Sequence, residues 1–301
     1  MDRRDCDRMF VAVVDGGSFA SAADRLGTSS GQASKLISRL EAELGVQLLT
    51  RTTRALSLTE AGRAYLVGIR PLLDDFDALD AAVRNASGAP SGRLRISAPV
   101  SFGTTRLAPV LLDFARAYAD IELDVHFSDR LVNLIDEGYD AAIRIGRPYD
   151  SSLVARKLCD SRVIVAAASD YLLRRGVPIS PLDLAAHDCI IDTNFREALR
   201  WRFRPSGGED LIVPVSGRLQ FSNAEACLSA ALAGLGIARL PSFIAGPPLK
   251  EGKLQPLFSS MEEDRFGIFV LYPPARHLAL KVRVLVDFLA DAFKGKPTWD
   301  P

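Results

Sequence analysis

The chain has 301 residues, 48% of them hydrophobic, and its 37 Lys and Arg balance 37 Asp and Glu. That length suits about two domains with a sizeable buried core, and zero formal charge excludes holding nucleic acid by a bulk positive field. No apolar run approaches the roughly 20 residues that cross a bilayer, and the charged start MDRRDCDRMF lacks the apolar stretch of a secretory signal, so a cytoplasmic protein with no membrane partner is expected.

The first apolar period, Met9, Phe10, Val13 and Val14, lies on one helical face and stops at Asp15-Gly16-Gly17. Ser18 can cap a second helix carrying Phe19, Ala22, Ala23 and Leu26, and Gly27 supplies the positive φ that helix ends often need. A third helix, residues 29–44, turns Ala33, Leu36, Ile37, Leu40 and Leu44 inward. Its outer face holds Gly31, Ser34, Lys35 and Ser38, with Gln32 and Arg39 at its edges, and Ser29 and Ser30 open the helix as further DNA-binding candidates. Short side chains let such a helix approach DNA closely in the major groove, where Lys35 can reach guanine acceptors and Gln32 can pair with adenine. A plain helical hairpin with a solvated outer face fits the same residues.

After Gly45, VQLLTRTTRALSLT alternates apolar and polar residues around Arg51, Thr52, Thr53 and Arg54, as a two-stranded wing would. The arginines at its tip can reach phosphates or a narrow minor groove. Between Arg25 and Arg63 six basic residues face three acidic ones, so placement must decide what a modest excess does. The stretch FVAVVDGGSFASAADRLGTSSGQASKLISRLEAELGVQLLTRTTRALSLTEAG resembles the winged helix-turn-helix of LysR-type transcriptional regulators. The resemblance places the family's base-contacting positions on Ser30, Gly31, Ser34 and Lys35 and its wing contacts on Arg51 and Arg54. Two departures bear on the operator: Gly31 stands where many members have proline, and Leu49-Thr50 where Phe and a polar residue are frequent.

Thr59 can cap a long helix whose Ala61, Tyr65, Ile69, Leu72, Phe76, Leu79 and Val83 form a heptad-like seam. The seam is expected to meet the same helix of a second subunit, folding back on its own domain being the alternative. Pro71 should kink or divide this helix. The resemblance implies the same homodimer, a tetramer beyond it, an interrupted two-fold operator on double-stranded DNA, and contact with RNA polymerase.

NASGAPSGR, residues 85–93, reads as a linker. Beyond it strands are expected over 94–98, 122–127, 141–145 and 163–167. Helices are expected over 105–118 and 131–137, at Ser180-Pro181 and near Asn223, giving an α/β arrangement with mainly parallel pairing. The fold class is thus α/β: an N-terminal winged helix-turn-helix (1–58), a linker helix (59–88) and a C-terminal effector domain (91–301). The resemblance implies a periplasmic-binding-protein-like form for that domain, with subdomain I (91–160 and 267–301) and subdomain II (161–266).

Ligands in open α/β sheets settle beyond strand carboxyl ends. That rule marks Val100, Ser101 and Phe102, Ile145 and Gly146, Thr193, Asn194 and Phe195, and Ser222 and Asn223. Ser101 and Asn223 are the favoured polar contacts and Phe102 and Phe195 the apolar walls, although each also suits a turn or cap. Free N–H groups at two helix starts favour a small organic anion as effector.

An enzyme reading finds little to stand on. His126, His187 and His277 form no H-x-x-x-H, G-x-S-x-G or Walker-type arrangement. AGLGIARL has no dinucleotide fingerprint and no expected following helix. Cys6, Cys159, Cys189 and Cys227 stand singly, so buried thiols are expected, with no metal site and no cofactor.

Overall fold

The computed structural model describes residues 2–51, 56–84, 89–130, 132–146, 152–205, 209–262, 265–274, 278–295 and 297–300. Three helices open the chain: α1 (Arg3–Gly16), α2 (Phe19–Arg25) and α3 (Ser30–Leu44). The Asp2 carboxylate accepts the Asp5 amide, and Ser18 and Ser29 accept the amides of Ser21 and Gln32, so each helix start has a side-chain cap. Gly17, Gly27 and Gly45 adopt φ of 65°, 64° and 70° at the turns that follow. β1 (Leu49–Arg51) and β2 (Leu56–Leu58) pair antiparallel, with Thr50 opposite Ser57. α4 (Glu60–Arg84) leads away from them.

Phe10, Val13, Ala22, Ala33, Ile37 and Leu40 are fully buried in one core, which also takes in Leu48 and Leu49 of the wing. A side chain such as Phe10 contributes about 2–3 kcal/mol by burial. The core also claims the first half of the expected seam, since Ile69 is buried in it and Ala61 and Tyr65 pack against it, joined by Leu66 and Leu73 from outside the seam. Tyr65 is fastened further by its hydroxyl, which donates to Asp7 at 2.7 Å and accepts from Arg3 at 2.8 Å. The seam therefore divides. Its early residues serve their own domain, while Leu72 and Phe76 remain more than half exposed, and the side chains of Leu79 and Val83 lie outside those described. α4 runs as one helix across Pro71 instead of being divided there, because its first half is held by the three-helix core on one side.

The second half begins with β3 (Gly92–Ala98), a helical run of α5 (Val100–Phe102), a π-helical turn (Gly103–Leu107) and α6 (Ala108–Ala117), then β4 (Ile121–Phe127) and β5 (Ala141–Gly146). Next come β6 (Val154–Ser161), β7 (Val163–Ala167), α7 (Ser169–Arg175), a 3₁₀ segment (Pro181–Ala186) and β8 (Cys189–Asp192). β9 (Arg200–Phe203), β10 (Leu211–Pro214), β11 (Leu219–Phe221), α8 (Ala224–Leu232), β12 (Ile237–Pro241) and α9 (Ser242–Lys250) follow. β13 (Gln255–Leu257), β14 (Phe266–Tyr272) and α10 (Leu280–Ala292) end the series.

Two five-stranded sheets result, ordered β4-β3-β5-β14-β6 and β11-β8-β12-β7-β13. In each, four strands run one way and only the fourth, β14 or β7, runs against them, so two pairings are parallel and two antiparallel where mainly parallel pairing was expected. The reversal arises where the chain changes sheet: β6 ends at Ser161, β7 begins at Val163, and β14 returns beside β5 and β6. Ser242, fully buried, pins that crossing by accepting the Arg162 amide at 3.1 Å and donating its own amide to the Arg162 carbonyl.

Three local expectations change. The helix expected from residue 105 starts at Val100, because core packing of Phe102 and Leu107 outweighs the weak helix propensity of Gly103. Residues 134–138 form turns closed by Gly138 (φ 68°) rather than a helix, with the Asn133 side chain bonding the Ile135 amide in place of a helical ladder. AGLGIARL is followed by a helix after all, α9.

Candidate DNA-binding face and effector cleft

The Ser29 hydroxyl takes the Gln32 amide, leaving Ser29, Ser30, Gly31, Lys35 and Ser38 exposed along α3 and Gln32 and Ser34 half-buried beside them. Ala33, Leu36, Ile37 and Leu40, at most 5% exposed, hold the other face of α3 against the core. A Cβ built on Gly31 meets nothing nearer than the Ser29 hydroxyl at 4.0 Å, so packing does not require a glycine there.

The modest basic excess is redistributed by the fold. Arg39 pairs with Glu43 at 2.9 Å, Arg25 turns to Asp15 at 3.6 Å, and Arg63 donates to the Leu58 carbonyl at 3.0 Å. Lys35, by contrast, makes no ion pair among the described residues and stands on the exposed face. Thr52, Thr53 and Arg54 lie outside the described residues, as does the side chain of Arg51.

The wing's base is held to α3 by a residue absent from the sequence-level candidates. Glu41 Oε1 accepts the amides of Leu48 at 2.8 Å and Leu49 at 3.0 Å. Thr59 closes the other side: its hydroxyl donates to the Gln47 carbonyl at 2.7 Å and accepts the Gly62 amide at 2.9 Å. A Cβ on Gly62 would lie 2.0 Å from the Leu48 carbonyl oxygen, so only glycine lets α4 start this close to the wing.

In the C-terminal half, Ser101 and Asn223 meet across the two sheets: Asn223 Nδ2 donates to Ser101 Oγ at 3.3 Å. Asn194 Nδ2 donates to the Ser222 carbonyl at 2.9 Å and reaches Asp129 at 3.4 Å, while the Asn194 amide donates to Asp192 at 2.9 Å. Thr193 donates to the Phe221 carbonyl through both its amide and its hydroxyl, which anchors the strand end. Phe195 stacks near Phe266 with ring centroids 6.4 Å apart, at the second crossing between sheets. Gly146, φ 124°, ends β5, and Ile145 packs half-buried against that sheet's core.

Phe102 is not a cleft wall. It is fully buried among Phe243, Phe293 and Trp299, because the helical run starting at Val100 turns it into the core of the first sheet. The two helix starts are also not free. Asn223 Oδ1 takes the Ala226 amide, and the Val100 amide donates to Asp129 Oδ1 at 3.1 Å.

Four charged residues that sequence reasoning missed lie around these strand ends. Asp129 follows the end of β4, so the strand-end rule that marked the others would have reached it. Asp192, 6% exposed, has its carboxyl pushed up by burial, with the nearby Asp129 charge acting the same way. Arg239, also 6% exposed, lies 4.0 Å above the Phe195 ring. Arg144 donates to Ser97 Oγ at 3.0 Å, and burial lowers its pKa. Neither arginine carried a sequence signal: Arg144 sits on a strand expected from its apolar residues, and Arg239 in AGLGIARL, where no strand was expected. These strand ends thus gather two guanidinium groups, two carboxylates and one aromatic ring. Among the described residues no His, Cys, Asp and Glu side chains gather to hold a metal ion, and no helix is long and apolar enough to cross a membrane.

Comparison with known proteins assigns both halves. The family described as bacterial regulatory helix-turn-helix protein, lysR family, matches residues 8–63, and the LysR substrate binding domain matches residues 87–294. An HTH-type transcriptional repressor of Pseudomonas aeruginosa is 38% identical over 299 residues, covering 99% of this chain and 94% of that protein. The solved structure of CrgA, a LysR-type transcriptional regulator from Neisseria meningitidis, has a TM-score of 0.64 at 33% identity and covers 97% and 99% of the two chains. Full-length AphB, the Vibrio cholerae virulence activator, has a TM-score of 0.63 at 30% identity, covering 95% of this chain and 98% of its own.

Proposed function

Given that the chain belongs to the LysR family of DNA-binding transcriptional regulators with an effector-binding C-terminal domain, we propose how its residues divide that work. Two copies of α3 enter successive major grooves of an interrupted two-fold operator, with Lys35 and Gln32 reading base edges and Ser30, Gly31 and Ser34 allowing close approach. Ser29 and Ser38 meet the flanking backbone, and Arg51 and Arg54, beside Thr52 and Thr53, hold phosphates or the minor groove. The observation carrying this reading is the exposed face of α3, where Lys35 has no counter-ion among the described residues while Arg25 and Arg39 do.

Exposed Leu72 and Phe76 on α4 form the seam of a homodimer, two dimers make a tetramer, and the assembled regulator acts in the cytoplasm through RNA polymerase. The working units are residues 1–58, 59–88 and 91–301, the last divided at 160 and 266. The effector is a small organic anion. Its carboxylate replaces Asp129 at the Val100 amide, a position whose occupation by the chain's own carboxylate supports this choice, and Arg144 and Arg239 offset its charge. Val100, Ser101, Thr193, Asn194, Phe195, Ser222 and Asn223 contact it, with Ile145 and Gly146 at the edge. Closure then biases the spacing of the DNA-binding heads through the effector's differential affinity for two arrangements, typically about 1–3 kcal/mol.

Binding of the purified chain to DNA flanking its own gene, at fixed salt with excess random competitor, tests the DNA reading. Binding that survives competitor is the expected result, and affinity no better than for random duplex, both there and after selection from random sequences, would refute it. Calorimetry with organic acids and their neutral analogues tests the effector class, and binding of the neutral compounds alone would sink it.

A further inference from the structure

A cavity of about 350 Å³ lies outside the cleft, where α1, α2 and α4 meet β3, β4 and α10. Its wall carries five cationic side chains, Arg25, Arg70, Arg93, Arg95 and Lys281, against three acidic ones. Asp15 alone faces three guanidinium groups: it is hydrogen-bonded to Arg70 and lies 3.6 Å from Arg25 and 3.8 Å from Arg95. Asp124, behind the wall, takes Arg93 at 2.6 Å and Arg95 at 3.2 Å, and Asp140 takes Lys281 at 3.0 Å, so the five cations meet four carboxylates and one positive charge is left over.

The donors are also undersupplied with acceptors. Arg70 Nε and Arg93 Nε are both buried without a hydrogen-bond partner. Arg93 bonds Asp124 through Nη2 at 2.6 Å, while Glu122 lies 4.0 Å from its Nε, beyond hydrogen-bond reach. Burying an unmet donor of a charged group is costly, and both belong to residues that line the same space. Their charge and fork geometry suit an oxyanion that can accept from several guanidinium groups at once.

We infer that this cavity is a second ligand site, for a small phosphate-bearing anion held between Arg70 and Arg93. The volume falls at the small end of ligand sites, which run from roughly 300 Å³. Because one wall belongs to the DNA-binding half and the other to the effector half, an anion bound there ties the two together. By linkage, its occupancy and that joint stabilise each other.

The test is calorimetry of the full chain, free of DNA, with inorganic phosphate at constant ionic strength. One saturable site is expected. Arg93→Met and Arg70→Met should each weaken it about tenfold, the equivalent of one charge-assisted hydrogen bond. Arg93→Lys, which keeps the charge but loses the Nε fork and its bidentate geometry, should fall between native and Arg93→Met even if Arg70→Met loosens the joint. Lys35→Ala and Ser101→Ala should leave phosphate affinity unchanged, placing the site away from both the DNA face and the cleft. No saturable binding, or a loss in either control as large as in Arg93→Met, would overturn the assignment. A failure here leaves the cleft's organic-anion reading untouched, since that rests on separate residues.

Discussion

Replacing Gly62 by alanine sets two effects of opposite sign against each other. Alanine is the better helix former by about 0.8–1 kcal/mol, so propensity alone expects a gain. Gly62, however, packs where a Cβ would stand 2.0 Å from the Leu48 carbonyl oxygen, although real Cβ atoms essentially never come within 3.0 Å. The start of α4 must therefore retreat by about 1 Å, which pulls Thr59 away from the wing. At risk are the Thr59 amide bond to the Leu48 carbonyl at 3.0 Å and the Thr59 hydroxyl bond to Gln47 at 2.7 Å. Two such bonds are worth about 1–3 kcal/mol together, so the net result should be a loss of about 1 kcal/mol. Gly68 is the internal control: it lies in the same helix with nothing within 4 Å of its Cβ position, and Gly68→Ala should stabilise by about 0.5–1 kcal/mol. Hydrogen exchange of the full chain, read on amides of β1, β2 and the first turns of α4, measures both locally. The two variants should differ by about 2 kcal/mol, roughly 30-fold in local opening. If Gly62→Ala were protected as well as Gly68→Ala, the close-approach argument would be wrong.

Lys35→Ala should cost about 1–3 kcal/mol on the preferred duplex and little on random DNA, whereas Arg54→Ala should weaken all sequences alike and reduce the salt slope by about one; fluorescence anisotropy across a salt series separates them, and equal losses on both duplexes for Lys35→Ala would end its base-reading role. Burial, with Arg175 adding to it, lowers the His187 imidazole below its ordinary 6.5. Below that pH the unfolded chain binds a proton the folded one refuses, so stability should fall as pH drops. Melting curves at about pH 7 and about pH 5 should show this, with a smaller fall in His187→Gln. Burial pushes the thiols of Cys159, Cys189 and Cys227 up to about 12, so iodoacetamide at mildly alkaline pH should label them only after denaturation; rapid labelling of the folded chain would contradict their inertness.

The N-terminal half was legible because its signals are local. Ser18 and Ser29 cap the helices they precede, Gly27 and Gly45 end turns with positive φ, and every inward residue of α3 follows the 3.6-residue period. Each signal involves residues within a few positions of one another, so no distant contact can override it cheaply. The strand ends around Ser101, Thr193 and Asn223 were legible for the same reason, with Asn223 announcing the start of α8. Tertiary structure alone decided the rest. A heptad spacing cannot say which neighbour covers it, and the three-helix core took Tyr65 and Ile69 while leaving Leu72 and Phe76 exposed. Phe102 went to the core and not the cleft because the helical run starts at Val100, which depends on packing against Phe243 and Trp299 far along the chain. Charge counting could not foresee that Arg25 and Arg39 meet Asp15 and Glu43, or that Asp129 caps the helix start beside the cleft. Local propensity acts on neighbours in sequence, whereas burial and ion pairing act on neighbours in space, and those exist only once the chain has folded.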